Sequence, residues 1–194
     1  MSPDGSKADR ILDAAQEVLA VNGFAGLTIA KVAREAHVSR GLLHYYFDSK
    51  EDMLAKLLRR STEESWEIVS GLMRESSSVD ELADKLVEAM REYARTHVSS
   101  LSLLAEGLAV ARNYPRIRDE MSTLHREGQD AFSKELDAMR AAGRAHFTGS
   151  ARGLSTILIA LFDGLGLELQ TISALRQDEE TWTSFGESLR RLLR

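Results

Sequence analysis

Residues Thr28 to Leu54 read TIAKVAREAHVSRGLLHYYFDSKEDML. Three small polar residues in this stretch, Thr28, Ser39 and Ser49, each stand just before an apolar-periodic run. A side-chain oxygen placed there accepts a backbone N–H that a helix start leaves unsatisfied, so each is an expected N-cap. Asp52, three residues after Ser49, comes close to completing a capping box. Ile29, Val32, Ala33 and Ala36 give a first short helix one apolar face. Leu43 and Phe47, four residues apart, do the same for a second. Only Ala36, His37 and Val38 lie between them. Two short helices joined by a tight turn form a helix-turn-helix, whose second helix can enter a DNA major groove.

The remaining face of the second helix carries Arg40, Gly41, Leu42, His44, Tyr45 and Tyr46. Arginine reads guanine through two parallel hydrogen bonds. Tyrosine hydroxyls and histidine N–H groups reach phosphates. Gly41 lets the backbone come close to a duplex, whereas in a plain packing helix it costs about 1 kcal/mol relative to alanine. Tyr45 and Tyr46 are adjacent and cannot both face one core, so at least one points outward beside Arg40 and His44.

These residues resemble the DNA-binding segment of the TetR (tetracycline repressor) family of bacterial transcription regulators. The likeness is carried by Thr28, Ile29, Val32, Ala33, Ala36, Val38, Ser39, Gly41, Leu43, His44, Tyr45, Tyr46, Phe47, Lys50 and Leu54, and spans about residues 7 to 56. The resemblance implies that Arg40, Gly41, Leu42 and Tyr45 lie nearest the bases. It implies that Thr28, His44, Tyr46 and Lys50 mainly hold phosphates. With Ser39 these make up the expected DNA-facing set.

The net charge of −5 contradicts such a role only until it is divided. Residues 1 to 60 hold nine Lys and Arg against eight Asp and Glu, a balance of +1, so the remainder carries −6. Between Thr28 and Phe47 three basic residues face one acidic residue. The positive field is local, and an acidic body disfavours contact with DNA elsewhere. Two prolines in 194 residues, with alanine and leucine throughout, argue an all-helical chain of about nine helices. There are no cysteines, hence no disulfide frame, thiolate nucleophile or cysteine-based zinc site. Charged residues from Lys7 to Glu17 do not fit a signal-peptide core, and a cytoplasmic location is expected.

Read in order, residues 1 to 6 are an expected tail. Ile11, Leu12, Ala15, Val18 and Leu19 give one helical stripe, stopped by Gly23 as a left-handed C-cap. With the two short helices this makes a three-helix DNA-binding head, residues 1–48. Residues 49–194 form an expected helical effector-binding and dimerisation domain. It opens with a long helix from Ser49 to about Met73, followed by a Ser78–Glu81 capping box, helices to about Thr96 and from Ser99 to Arg112, and one from Pro115 to Ala142 that Gly143 stops. Residues 148 to 174 are apolar on nearly every side, and a last helix runs from Glu179 to Leu193. Arg152, Asp163 and Glu168 interrupt the apolar run, so no uncharged stretch spans a membrane. Leu154, Ile157, Leu158, Leu161 and Leu165, with Trp182, Phe185, Leu189 and Leu192, point to a homodimer built as a four-helix bundle, which the resemblance also implies.

Nothing in the sequence carries catalysis, a metal or a cofactor. The histidines at 37, 44, 97, 125 and 146 show no HExxH spacing, and neither a glycine-rich phosphate loop nor GxSxG occurs. Trp66, Met73, Met90, Tyr93, Met121, Phe132 and Phe162 are either plain core or the lining of a small-molecule pocket, and the resemblance raises the second reading. Asp163, inside the apolar helix, needs a partner: Arg112, Arg116, Arg118 or a cationic ligand, with an ion pair the simpler answer. The expected function is a homodimeric, ligand-responsive repressor of a palindromic operator in double-stranded DNA. The alternative is a helical small-molecule-binding or scaffold protein with a vestigial helix-turn-helix.

Overall fold

The computed structural model describes residues 3–96 and 98–194. The described residues form nine α-helices and no strand: α1 Pro3–Gly26, α2 Ile29–Glu35, α3 Arg40–Tyr46, α4 Lys50–Glu75, α5 Val79–Thr96, α6 Val98–Ala111, α7 Pro115–Ala141, α8 Ala151–Thr171 and α9 Glu179–Leu193, with a 3₁₀ turn at Ser173–Gln177 before α9. His97 and the first two residues lie outside the description. The first helix begins at Pro3, so residues 3–6 extend it where a tail was expected.

The chain packs as two compact units, residues 1–62 with 99–124, and residues 63–98 with 125–194. These bounds differ from the division at residue 48, because α4 and α7 each contribute to both units.

In the first unit α1 packs on α2 and α2 on α3. Ile11, Leu27, Val32, Leu43, Leu54 and Leu57 are wholly buried, each contributing roughly 1.5–3 kcal/mol over exposure. Gly23 breaks α1 at φ 62° and ψ 178°. This is an extended region open to glycine, not the left-handed cap expected. Glu106 closes the break by accepting the Phe24 N–H at 3.1 Å. Tyr114 meets the Phe24 ring edge-on at 5.0 Å.

In the second unit α5 lies along α9. Arg190 of α9 and Arg194, just past its end, reach Asp84 and Asp80 of α5. Arg91 forks onto Glu179 at 2.8 and 2.6 Å and covers the Trp182 ring. These pairs lie at the surface, where water and salt screen them and they add little to stability. Trp182, Leu158 and Leu189 supply the buried apolar contacts. Gly143, at φ 68°, ends α7 as expected, and Arg144 donates to the carbonyls of Met73 and Ser76, capping the end of α4.

Ser78 accepts the Glu81 N–H at 3.2 Å, but Glu81 reaches back to Ser77, one residue before the cap. Asp52 does the same, accepting from Asp48 rather than from Ser49. Both expected boxes therefore close one residue further out. Lys85, then Ser77, hold the Glu81 carboxyl down at about 2.

Candidate nucleic-acid interface

All three caps form. Thr28 accepts the Lys31 N–H at 3.3 Å, Ser39 that of Leu42 at 3.2 Å, and Ser49 that of Asp52 at 3.1 Å. Thr28 and Ser39 thereby orient two seven-residue helices that are too short to hold themselves. His37 supplies the turn at φ 55°, a left-handed conformation that histidine tolerates better than most residues. It does no other work visible in the fold.

Leu43 and Phe47 seat α3 on the core, 0% and 2% exposed, while Tyr45 stands 75% exposed beside them. Arg40, Gly41 and His44 are exposed, and Leu42 and Tyr46 are half-buried. Tyr45 and Tyr46 pack edge-on at 5.1 Å, which steadies the outward ring. A Cβ added at Gly41 would meet nothing closer than the Ser39 hydroxyl at 3.9 Å. No packing inside the chain requires glycine at this position, so its bareness is a property of the outer face. Lys50 stands with its ammonium 4.4 Å above the Phe24 ring, which sets where its charge is presented. Of the expected DNA-facing set, Thr28, Ser39, Arg40, Gly41, His44 and Tyr45 are exposed, and Leu42, Tyr46 and Lys50 are half-buried.

Three residues outside the expected set belong to this assembly. Lys56 donates to the Tyr46 carbonyl at 2.7 Å and to Asp52 at 3.0 Å. Asp52, 2% exposed, also receives Arg116. The capping pattern marked Asp52. Nothing in sequence spacing could have found Arg116, 64 residues away.

The expected effector residues fall in both units. Met73, Met90 and Phe132 are 1%, 8% and 4% exposed and fill the core. Met121 belongs to the first unit, where its sulfur would lie 3.3 Å from a Cβ at Gly107. Trp66 lies against the backbone of α7, within 2.7 Å of a Cβ added at Gly128. Phe162 packs edge-on against Phe185 of α9 at 5.4 Å, and Tyr93 is half-buried.

Among the described residues no ion pair of Asp163 is seen. Arg116 pairs with Asp52 and Arg118 with Asp119. Desolvation pushes the Asp163 carboxyl up to about 6, against a smaller lowering by His125. The residue keeps more than a third of its surface accessible even though protein atoms crowd the carboxyl. Its accessible surface governs how well water screens the charge, so the shift bounds the effect from above.

The interface residues divide as well. Leu154, Leu158, Trp182, Phe185 and Leu189 are buried within the chain itself, because they hold α8 and α9 to their own unit. Ile157 is 53% exposed, and Leu161, Leu165 and Leu192 are half-buried. An open groove of about 550 Å³ runs between α8 and α9, lined in part by Ala160, Leu161, Gly164, Leu165, Thr181 and Ser184. By length and composition α8 could cross a membrane: its most apolar 18-residue stretch has a mean hydropathy of 1.3, and 28% of that stretch is buried. Arg152, Asp163 and Glu168 interrupt it.

Two capped short helices, the second rooted by Leu43 and Phe47 and presenting Arg40 and Tyr45, define a helix-turn-helix DNA-binding transcription regulator. Residues 11–57, the helix-turn-helix head, match the sequence model of a family described as "Bacterial regulatory proteins, tetR family". Over 169 residues it is 27% identical to the HTH-type nicotine-responsive transcriptional repressor HdnoR of Paenarthrobacter nicotinovorans, covering 84% of this chain and 82% of that protein. Over 50 residues it is 42% identical to the fatty acid metabolism regulator protein of Bacillus subtilis (strain 168), covering 26% of each chain. Among solved structures, Salmonella enterica GusR shares the fold at TM-score 0.80 and 20% identity, over 100% of this chain and 98% of that one. FadR from Bacillus subtilis in complex with stearoyl-CoA does so at TM-score 0.71 and 19% identity, over 95% and 96%.

Proposed function

We propose that this chain is a cytoplasmic homodimeric repressor that binds a palindromic operator and releases it when a small molecule binds. The observation that carries this reading is the outer face of α3, where Arg40 and Tyr45 stand exposed beside a Gly41 with open space above it. Arg40, Gly41, Leu42 and Tyr45 read base edges, while Thr28, Ser39, His44, Tyr46 and Lys50 hold the backbone. Residues 1–48 act as the reading head, and residues 49–194 dimerise and respond to the effector.

The groove between α8 and α9 supports the dimer: Leu161 and Leu165 line it, Gly164 leaves room for a neighbouring helix, and Ile157 on the same helix is exposed. A second copy across a two-fold axis covers both faces at once and presents two heads, hence a palindromic site. Small-molecule response is supported by relatives whose names or structures include a small molecule. A vestigial helix-turn-helix would have no reason to keep this face exposed, capped and bare at Gly41.

The test is selection of duplexes from a random DNA pool by the intact protein, followed by mobility shifts. Enrichment of a two-fold-symmetric sequence that the protein prefers over random duplex is the expected result. Equal affinity for all duplexes would sink the reading.

A further inference from the structure

We infer that Arg116 of α7 is a positioning residue for DNA reading, acting through Asp52 and Lys56 on the C-terminal end of the recognition helix; the inference rests on the function proposed above. The recognition helix α3 is seven residues long, and its last carbonyls have no partners within the helix. One of them, at Tyr46, accepts from the Lys56 ammonium at 2.7 Å. A cation at a helix C-terminus is also favoured by the helix dipole. Lys56 is held in place by Asp52 at 3.0 Å and lies 5.0 Å from the centre of the Phe47 ring.

Asp52 is the centre of this arrangement. It is 2% exposed, and a carboxylate buried so far must be paired and hydrogen-bonded. One oxygen accepts from the Asp48 N–H and from Lys56, and the other accepts from Arg116. The turn joining α3 to α4 is therefore gripped twice, at the Tyr46 carbonyl and at the Asp48 N–H, by one carboxylate and the cation it orients. Arg116 comes from one residue inside the start of α7 and supplies Asp52 with its second positive partner. Tyr45 and Tyr46 ride on the last turn of α3, so the angle at which they meet DNA depends on this grip. Without Arg116, Asp52 can turn toward solvent and draw Lys56 off the Tyr46 carbonyl.

The experiment uses the full chain and the duplex that wild-type protein enriches from a random pool. Arg116→Met should lower the ratio of affinities for enriched and random duplex by about tenfold, the scale of one charged hydrogen bond. It should also speed hydrogen exchange at the Asp48 amide. Lys56→Met should lower the ratio by a similar factor, and the double variant should lose little more than either single one, because both cut the same chain. Arg116→Lys, which keeps the charge, should recover part of the loss.

A role in general stability would lower binding to both duplexes together and leave the ratio in place, and would overturn the inference. So would additive losses, or an Asp48 amide that exchanges as in wild type. A lowered ratio with unchanged Asp48 exchange would make Arg116 a direct DNA contact, which also overturns it. If wild-type protein enriches no duplex, the functional reading fails, while Asp48 exchange in Arg116→Met still decides whether the grip exists.

Discussion

The helix-turn-helix and the α8–α9 face are both short apolar patterns in sequence, yet they solve opposite problems. In the head, Leu43 and Phe47 point inward and Tyr45 outward, and local caps fix which is which. On α8, Leu158 is 1% exposed and its neighbour Ile157 53% exposed. Nothing local distinguishes those two aliphatic residues; only the packing of α8 on α5 and on the turn before α9 does. Where capping and turn geometry set the orientation of a helix, its faces can be read from sequence. Where tertiary contacts set it, an apolar run says that burial occurs but not against what.

The sharpest way to break this comparison is a pair of adjacent substitutions on α8. Leu158→Glu should place an unpaired charge in the core and unfold the chain, a loss above about 4 kcal/mol. Ile157→Glu should leave the helical signal and melting transition nearly intact and convert the proposed dimer to a monomer. Circular dichroism melts and light scattering read both. A folded Leu158→Glu protein, or a dimeric Ile157→Glu protein, would mean that the two faces are assigned wrongly.

The next effect lies on the reading face. Arg40→Ala should cost about 1–3 kcal/mol at one base position in each half-site and relax the preference there. Affinities for operators varied at single positions would reveal it. A uniform loss across all sequences would reduce Arg40 to a phosphate contact.

Ser39→Ala removes the cap of α3 and should lower stability by about 1 kcal/mol, with a larger effect on DNA affinity than the equivalent Ser150→Ala at the start of α8. Ser150 caps its helix in the same manner, accepting the Gly153 N–H at 3.0 Å, but α8 is 21 residues long and braced by packing. Equal effects on DNA affinity would contradict the view that caps decide the head alone.

The smallest effect is the one that titrates. Desolvation holds the Asp163 carboxyl at about 6, above its ordinary 3.8. Below the ordinary value the group is neutral in folded and unfolded chains, and stability is complete. As pH rises through about 6 the folded chain must carry a poorly solvated charge, and that stability is lost. Asp163→Asn should therefore stabilise the protein by under about 1 kcal/mol near pH 7.5, after screening of its accessible surface, and by nothing near pH 4. Denaturant titrations at the two pH values compare them; a gain confined to the lower pH would reverse the assignment.

Much of the head is legible in the amino-acid order alone. Thr28, Ser39 and Ser49 are the caps expected of them, Gly143 ends α7, and of the two adjacent tyrosines Tyr45 faces outward. These features rest on interactions within four residues, where side-chain type and spacing determine the hydrogen bond. The effector residues are not legible in the same way, because methionine and aromatic residues at helical spacing mark a core and a cavity alike. Met73, Met90 and Phe132 are core, and Met121 joins the other unit.

The amino-acid order alone is enough for an all-helical chain, for the position and polarity of its recognition helix, and for the likeness of its head to bacterial regulators, since capping, apolar period and a local motif are written residue by residue. Tertiary packing alone turns Leu158 and Leu189 inward but not Ile157, and brings Arg116 onto Asp52. Each of those outcomes depends on which distant helix arrives alongside. That choice is made by the summed packing of whole helices, which no local pattern records.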